Sequence, residues 1–368
     1  MYGLKVKTIF NLQQPWKKRA IFICIYGVCC VIFALFLFEF AYRTQIIDTY
    51  LPELRSYNSG DDIEDGKGKK TVLIMGDSFT AGTMTYAGIL RKELPEYRVI
   101  NSGVSGTGIL QASMIAKRRF QRFKPSIFIY QVYVGNYLFD ITYPVNWDKL
   151  TFLQNIYWMV SNHFRSIAFL NYRLSQIDFQ SLIRGKKKYD TLKNEIPSET
   201  YGIDTTEKFS PEKYTSRVKR YLVAEPMLIE NQITVQGNRS KDYDIFLSKL
   251  ETLISYSRPE ECTVYILVIP HCCQVSNTYL ANMKMLGATF TDEEKLGNDE
   301  YPFIAKMHET IKRPNFFLLN PIQLLRDKES RNIPMYYQND DHLTQAGQET
   351  IADFVMERVF GSPISRDW

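Results

Sequence analysis

Apolar positions along this chain fall into three patterns. Residues 20–38, AIFICIYGVCCVIFALFLF, carry no charge and no polar alternation, and at 1.5 Å per residue they reach roughly 28 Å, about the hydrocarbon thickness of a bilayer. Beyond residue 70, short apolar runs recur at Thr71–Met75 (TVLIM), 98–100, 126–134 (SIFIYQVYV), Thr263–Ile269 (TVYILVI) and 315–319. Runs without alternation predict strands buried on both faces of a parallel sheet. Helical spacing marks 86–94, Ile109–Phe123, 243–256, 301–312 and 349–360. Strand alternating with helix predicts an α/β protein, a three-layer α/β/α domain with a parallel sheet over residues 71–362.

The first pattern predicts an anchor. Five basic residues (Lys5, Lys7, Lys17, Lys18 and Arg19) precede the apolar run, whereas residues 48–65 are mostly acidic. The positive-inside rule then puts residues 1–19 in the cytoplasm, a single span at 20–42 in the cell membrane, and the rest outside. A cleaved signal peptide is the rival, but the exit reads EFAYRTQ, without a small-x-small site. Residues 43–70, ending NSGDDIEDGKGKK, read as a solvated tether. Residues 141–240 break the alternation with an aromatic-rich helical stretch (150–174), a basic run RGKKKY (184–189) and a polar stretch (198–213). An insertion of this kind at a sheet edge is expected to cap the site.

Charge narrows the function. Residues 1–43 hold six basic residues and one acidic one, so of the 45 and 40 in the whole chain equal numbers remain for the main domain. A neutral domain excludes a nucleic-acid partner, which would need a basic face. Of six cysteines, Cys24, Cys29 and Cys30 fall in the apolar run, and Cys262 and Cys272 close opposite ends of one strand, so no disulfide framework follows. The PHCC at 270–273 has no C-x-x-C or H-x-x-x-H partner; we read it as wall of a pocket, and neither a metal nor an organic cofactor is implied.

Chemistry-bearing residues sit where strands end. Gly76-Asp77-Ser78 follows the first strand, at the carboxyl edge of an open α/β sheet where ligands bind. A hydroxyl on a Gly-preceded turn suits nucleophilic attack, although Gly-Asp-Ser is also ordinary turn chemistry. The second strand runs into NSGVSGTG (101–108), and the third ends at Gly135-Asn136, where an Asn side chain can donate to an oxyanion. Near the far end, QNDDHLTQAGQ (338–348) places His342, one of four histidines, before a helix. His342 is the general-base candidate and Asp340 its orienter; a solvated loop with Thr344 as N-cap is the plain alternative.

Taken in order, GDSFT, NSGVSGTG, QVYVGN and DDHLTQAG resemble the GDSL/SGNH hydrolase superfamily, in particular its membrane-anchored bacterial members. The likeness covers about residues 71–141 and 263–360. It implies the flavodoxin-like SGNH fold and an acyl-enzyme mechanism: Ser78 as nucleophile, His342 as base, and the backbone N–H groups of Ser78 and Gly106 with the Asn136 side chain as oxyanion hole. Two departures stand out. The family's usual Asp, three residues before His, is Asn339 here, and in its third block Val134 replaces a Gly and Tyr137 an Asp. The resemblance further implies acyl esters, O-acetyl above all, of envelope carbohydrate as substrate, with a lipid ester as the alternative. Water or a sugar hydroxyl can resolve the acyl-enzyme, so hydrolysis and O-acetyl transfer both remain open, and transfer would bring in a membrane acyl-donor protein. A non-catalytic polysaccharide-binding component with a decayed site is the other reading, supported by Asn339 alone.

Overall fold

The structure, a computed structural model, describes residues 15–60, 63, 68–175 and 207–361. The cytoplasmic assignment of residues 1–14, the basic run 184–189 and the first part of the polar stretch 198–213 lie outside the described residues.

Five parallel strands form one sheet in the order β2-β1-β3-β4-β5: β1 Thr71–Met75, β2 Arg98–Asn101, β3 Ile127–Tyr133, β4 Thr263–Ile269 and β5 Phe316–Leu319. All five fall on the apolar runs. The two central strands explain the patterning: every residue of β1 is buried, as are the last six of β3, which is what helices on both faces impose. The register runs in step across the centre, with Ile74 opposite Asn101 on one side and Ile129 on the other. Their carboxyl ends therefore come level. The sheet order reverses at β1, so the loops after β1, β2 and β3 open a crevice there.

The longer helices are α1 Pro15–Thr44, α2 Leu51–Tyr57, α3 Tyr86–Glu93, α4 Ile109–Phe123, α5 Phe152–His163, α6 Arg165–Ser175, α7 Ser216–Ala224, α8 Leu228–Thr234, α9 Arg239–Ile254, α10 Asn277–Met285, α11 Pro302–Thr310, α12 Ile322–Ser330 and α13 Gln345–Val355. The last begins four residues before its apolar periodicity does, because Thr344 caps it by accepting the Gly347 N–H at 3.1 Å. α9 likewise starts at Arg239, ahead of the apolar spacing.

The expected tether at 43–70 is corrected over residues 45–58. Tyr50 and Leu54 are buried in the main core. The guanidinium of Arg119, itself fully buried, pairs with Asp48 and donates to Ser102 Oγ at 3.0 Å. Asn58 binds Asn101 twice, donating to its carbonyl at 2.7 Å and accepting its N–H at 2.9 Å. Polar residues spaced without period read as solvated, but here they complete hydrogen bonds at the edge of the sheet, which such an edge needs in order to be closed.

Among the described residues one helix, Arg19–Thr44, is long and apolar enough to span a membrane, with mean hydropathy 2.9 and no part of it buried along the apolar stretch. Its last turns are different. Tyr42 is 1% exposed and belongs to the main core, and the Glu39 carboxylate accepts the N–H groups of Arg165 at 3.0 Å and Ser166 at 2.8 Å, capping α6.

Candidate active site

Ser78 is the one residue between Thr71 and Gly82 that reaches the surface. The turn that carries it is built by its neighbours. Asp77 is fully buried; its carboxylate accepts the Phe79 N–H at 2.9 Å and its carbonyl accepts the N–H groups of Thr80 and Ala81. Gln131, reaching up from β3, accepts from Asp77 N–H at 3.2 Å and from the Thr80 hydroxyl at 3.0 Å. These atoms crowd Gly76 so closely that a Cβ there would lie 2.3 Å from Thr80 Oγ1 and 2.5 Å from Gln131 Oε1. Only glycine fits.

The loop after β2 is fastened to the same turn. Asn101 donates to the carbonyls of Thr80 and Gly82, both at 2.9 Å. Gly106 in that loop has φ +68°, a conformation that glycine takes without strain, and a Cβ placed there would meet the ring of Tyr172 of α6 at 3.5 Å. Asn136 follows β3, 8% exposed, and its side-chain oxygen has no protein partner.

Residues 336–343 fold back on themselves, with Tyr336 bridged to Leu343 and the Tyr337 N–H bound to the His342 carbonyl at 3.1 Å. This turn brings His342 to the crevice. Its Nε2 lies 2.7 Å from Ser78 Oγ, while its Nδ1 pairs with Asp340 Oδ1, the same oxygen that accepts the His342 backbone N–H at 2.9 Å. Phe79 stacks on the imidazole and His271 on Tyr133, with centroids 5.1 and 6.0 Å apart, and a tilted contact at 4.4 Å joins Phe79 to Tyr133. His271 and its neighbours Cys272 and Cys273 are thus buried wall. Burial drops the His271 pKa to about 3 and pushes both thiols up.

Electrostatics separate the carboxylates by environment. Burial would lower His342, but the Asp340 charge and hydrogen bond outweigh it and raise its pKa to about 9. Burial likewise opposes the Asp340 carboxylate, yet His342 and the Thr215 hydroxyl hold that carboxyl below its usual range. Asp341 goes the other way, raised by burial, with Oδ1 3.7 Å from His342 Nδ1 and no hydrogen bond to that oxygen. Asp77 is raised by burial to about 6 and Asp140 to about 7, each with the Arg217 charge opposing the rise. Asp340, Asp341 and His342 are also the donors that could hold a cation; as arranged, the imidazole spends both nitrogens on Ser78 and Asp340.

Of the sequence-predicted residues, Ser78, His342 and Asp340 meet directly. Gly106 and Asn136 lie on the loops after β2 and β3, the strands that flank β1 on either side. Asn339 does not join them: it accepts the Ser210 N–H at 2.7 Å and donates to Glu207 and to the Lys208 carbonyl. Sequence reading missed Thr215, whose hydroxyl donates to Asp340 Oδ2 at 2.7 Å, and Arg217, whose charge acts on Asp77, Asp140, Asp341 and His342. Both lie beside a polar stretch with no period, and Thr215 stands 125 residues from Asp340. No local signal marks them.

No family model matches the chain, and no curated protein matches it. Among the solved structures that resemble it remotely are two hydrolases. One is LAE5, an alpha/beta hydrolase enzyme from the metagenome of Lake Arreo, Spain, at 12% identity and a TM-score of 0.36 over 78% of this chain and 93% of that one. The other is a catalytic mutant of Axe2, an acetylxylan esterase from Geobacillus stearothermophilus, at 12% identity and 0.37 over 81% and 97%. What this site can do follows from its own atoms.

Proposed function

We propose that this chain is a membrane-anchored serine esterase or O-acyltransferase of SGNH type, acting on acyl esters of envelope carbohydrate. The observation that carries the reading is the relay Ser78 Oγ, His342 Nε2, His342 Nδ1, Asp340 Oδ1, with the nucleophile separation at 2.7 Å. A nucleophile, a base and a buried carboxylate in hydrogen-bond contact form the geometry that activates serine.

Ser78 attacks the ester carbonyl as His342 Nε2 takes its proton. The C=O electrons move onto oxygen, and the developing oxyanion is held by the N–H groups of Ser78 and Gly106 and by the Asn136 amide. Collapse expels the alcohol, protonated by His342, and leaves the acyl group on Ser78. Water or a sugar hydroxyl, deprotonated by His342, then attacks the acyl-enzyme and frees Ser78. Each preorganised donor at the oxyanion is worth about 3 kcal/mol in such sites. The envelope-carbohydrate substrate rests on the motif resemblance and on the anchor.

Support for the anchor comes from its joint with the domain. A signal peptidase cut beyond the apolar run would remove Glu39 and Tyr42, which cap α6 and fill core. Retention of the helix keeps both. Positive charge before the span puts the domain outside the cytoplasm. The polysaccharide-binding reading drew on Asn339 alone, and that residue is engaged elsewhere while Asp340 meets His342.

Labelling of the detergent-solubilised full chain with a fluorophosphonate tests the reading. Wild type is expected to label at Ser78, and Ser78→Ala and His342→Ala to stay dark with unchanged circular dichroism. A folded wild type that does not label would overturn it.

A further inference from the structure

α5 is turned inside out. Its inward face carries Asn155 and Ser161, both 0% exposed, beside Trp158. Asn155 satisfies its amide on the carbonyls of Asn146, Leu150 and Thr151 and on the Asn146 N–H. The outward face repeats at helical spacing as Phe152, Ile156, Met159 and Val160, with Phe152 68% and Met159 40% exposed. Beside it stand Leu153, 78% exposed, and Trp147, whose ring packs 5.9 Å from Phe152. No Asp, Glu, Lys or Arg occurs from 151 to 164. A helix facing water would show charge on that face; this one shows none.

Its end lies against the anchor. Phe164, just past α5, packs edge-on against Phe36 of α1 at 5.2 Å, and Arg43 donates to the His163 carbonyl at 2.8 Å. Counted from Ala20, about 30 Å of hydrocarbon takes roughly 20 residues and ends near Glu39. The α5–α6 junction therefore meets α1 at the depth where acyl chains give way to headgroups. Ile46 and Ile47, 64% and 75% exposed, follow directly on the end of α1.

We propose that the outward face of α5 lies in the outer-leaflet interface, continuous with the lipid-facing surface of α1, so that a bilayer and not a protein covers it. The inference rests on the anchor reading. Interfacial helices bury an apolar face at the headgroup–acyl boundary, with aromatic residues at its margin; Phe152, Met159 and Trp147 supply that face and that margin. The helix that follows, α6, carries Tyr172, whose ring a Cβ at Gly106 would meet at 3.5 Å, so the seat on lipid is one helix away from the Gly106 loop.

The experiment uses the full chain in phosphatidylcholine vesicles, with and without lipid brominated near the carbonyl end of its acyl chains. Emission is compared between wild type and Trp147→Phe, and between Trp147→Phe and the double variant Trp147→Phe/Met159→Trp. Brominated lipid is expected to remove roughly half of the emission due to position 147 or 159, while aqueous acrylamide leaves it unchanged. A chain that floats with the vesicles but whose two probes stay bright in brominated lipid overturns the proposal and leaves the anchor standing; a protein-covered face would behave this way in pure lipid. A chain that does not float overturns the anchor and, with it, the seat. Phe152→Glu/Leu153→Glu in the wild-type background is expected to restore Trp147 emission without loss of flotation.

Discussion

Thr215 donates its hydroxyl to Asp340 Oδ2 at 2.7 Å, and its own N–H binds the Asn339 carbonyl at 3.2 Å. The start of α7 thereby grips both members of the turn that presents His342. Asp340 uses its other oxygen on the imidazole and on the His342 N–H, so its orientation is fixed from two sides. Replacing Thr215 by Val keeps the shape and removes the donor. A net hydrogen bond of this kind is worth about 1 kcal/mol, so the fluorophosphonate labelling rate is expected to fall roughly five-fold and the melting temperature by a few degrees. Unchanged labelling in Thr215→Val would assign Thr215 to structure alone.

The pH profile reports His342. Its pKa is raised to about 9, and only the neutral imidazole accepts the Ser78 proton, so labelling is expected to climb with pH through a midpoint above 6.5. In Asp340→Asn the charge that raises the pKa is gone and burial dominates, as it does at His271, so the midpoint moves acid. The plateau falls by about 10⁴ because the tautomer is no longer fixed. Stability follows the opposite sense: the ionised pair contributes fully below the unfolded value of 6.5 and is lost as pH rises through about 9. Chemical denaturation of wild type and Asp340→Asn at pH 6 and pH 9.5 measures both.

Asn339→Asp creates the Asp-to-His spacing usual in the superfamily that the motifs resemble, yet no gain is expected. The Asn339 amide donates to Glu207 and Lys208; a carboxylate there faces the Glu207 charge and loses both donor bonds. Labelling no faster than wild type, with a melting temperature lower by a few degrees for about 1 kcal/mol, is the expected result. A several-fold increase would point to an orienter other than Asp340.

Gly76→Ala puts a methyl into the hydrogen bonds among Asp77, Thr80 and Gln131. Overpacking costs about 1–3 kcal/mol, and because those bonds set the Ser78 turn, labelling is expected to fall further than stability. Thermal melting beside labelling separates the two effects.

Much of the sheet was legible because burial on both faces leaves a strand no freedom to alternate, as in Thr71–Met75 and Thr263–Ile269. Ser78 and His342 were legible because small polar groups at strand ends interrupt strongly apolar text. Thr215 and Gln131 were not: one is a single Thr in a polar stretch, the other a Gln inside a strand, and each matters only through a partner brought near by folding. The segment 45–58 misled for a related reason. Asp48, Glu53 and Asn58 read as solvent-facing, but each meets a fixed partner, in Arg119, Arg173 and Asn101.

The joint between α1 and the domain decides how firmly that helix is held. With Glu39 capping α6, Tyr42 and Tyr50 in the core and Asp48 paired to Arg119, the end of α1 is fastened directly to the domain. On the anchored reading, Ser78 stands on a post and not on a leash. It works at one height above the lipid, and a polymer chain is processed only where it passes through that plane or is handed down to it.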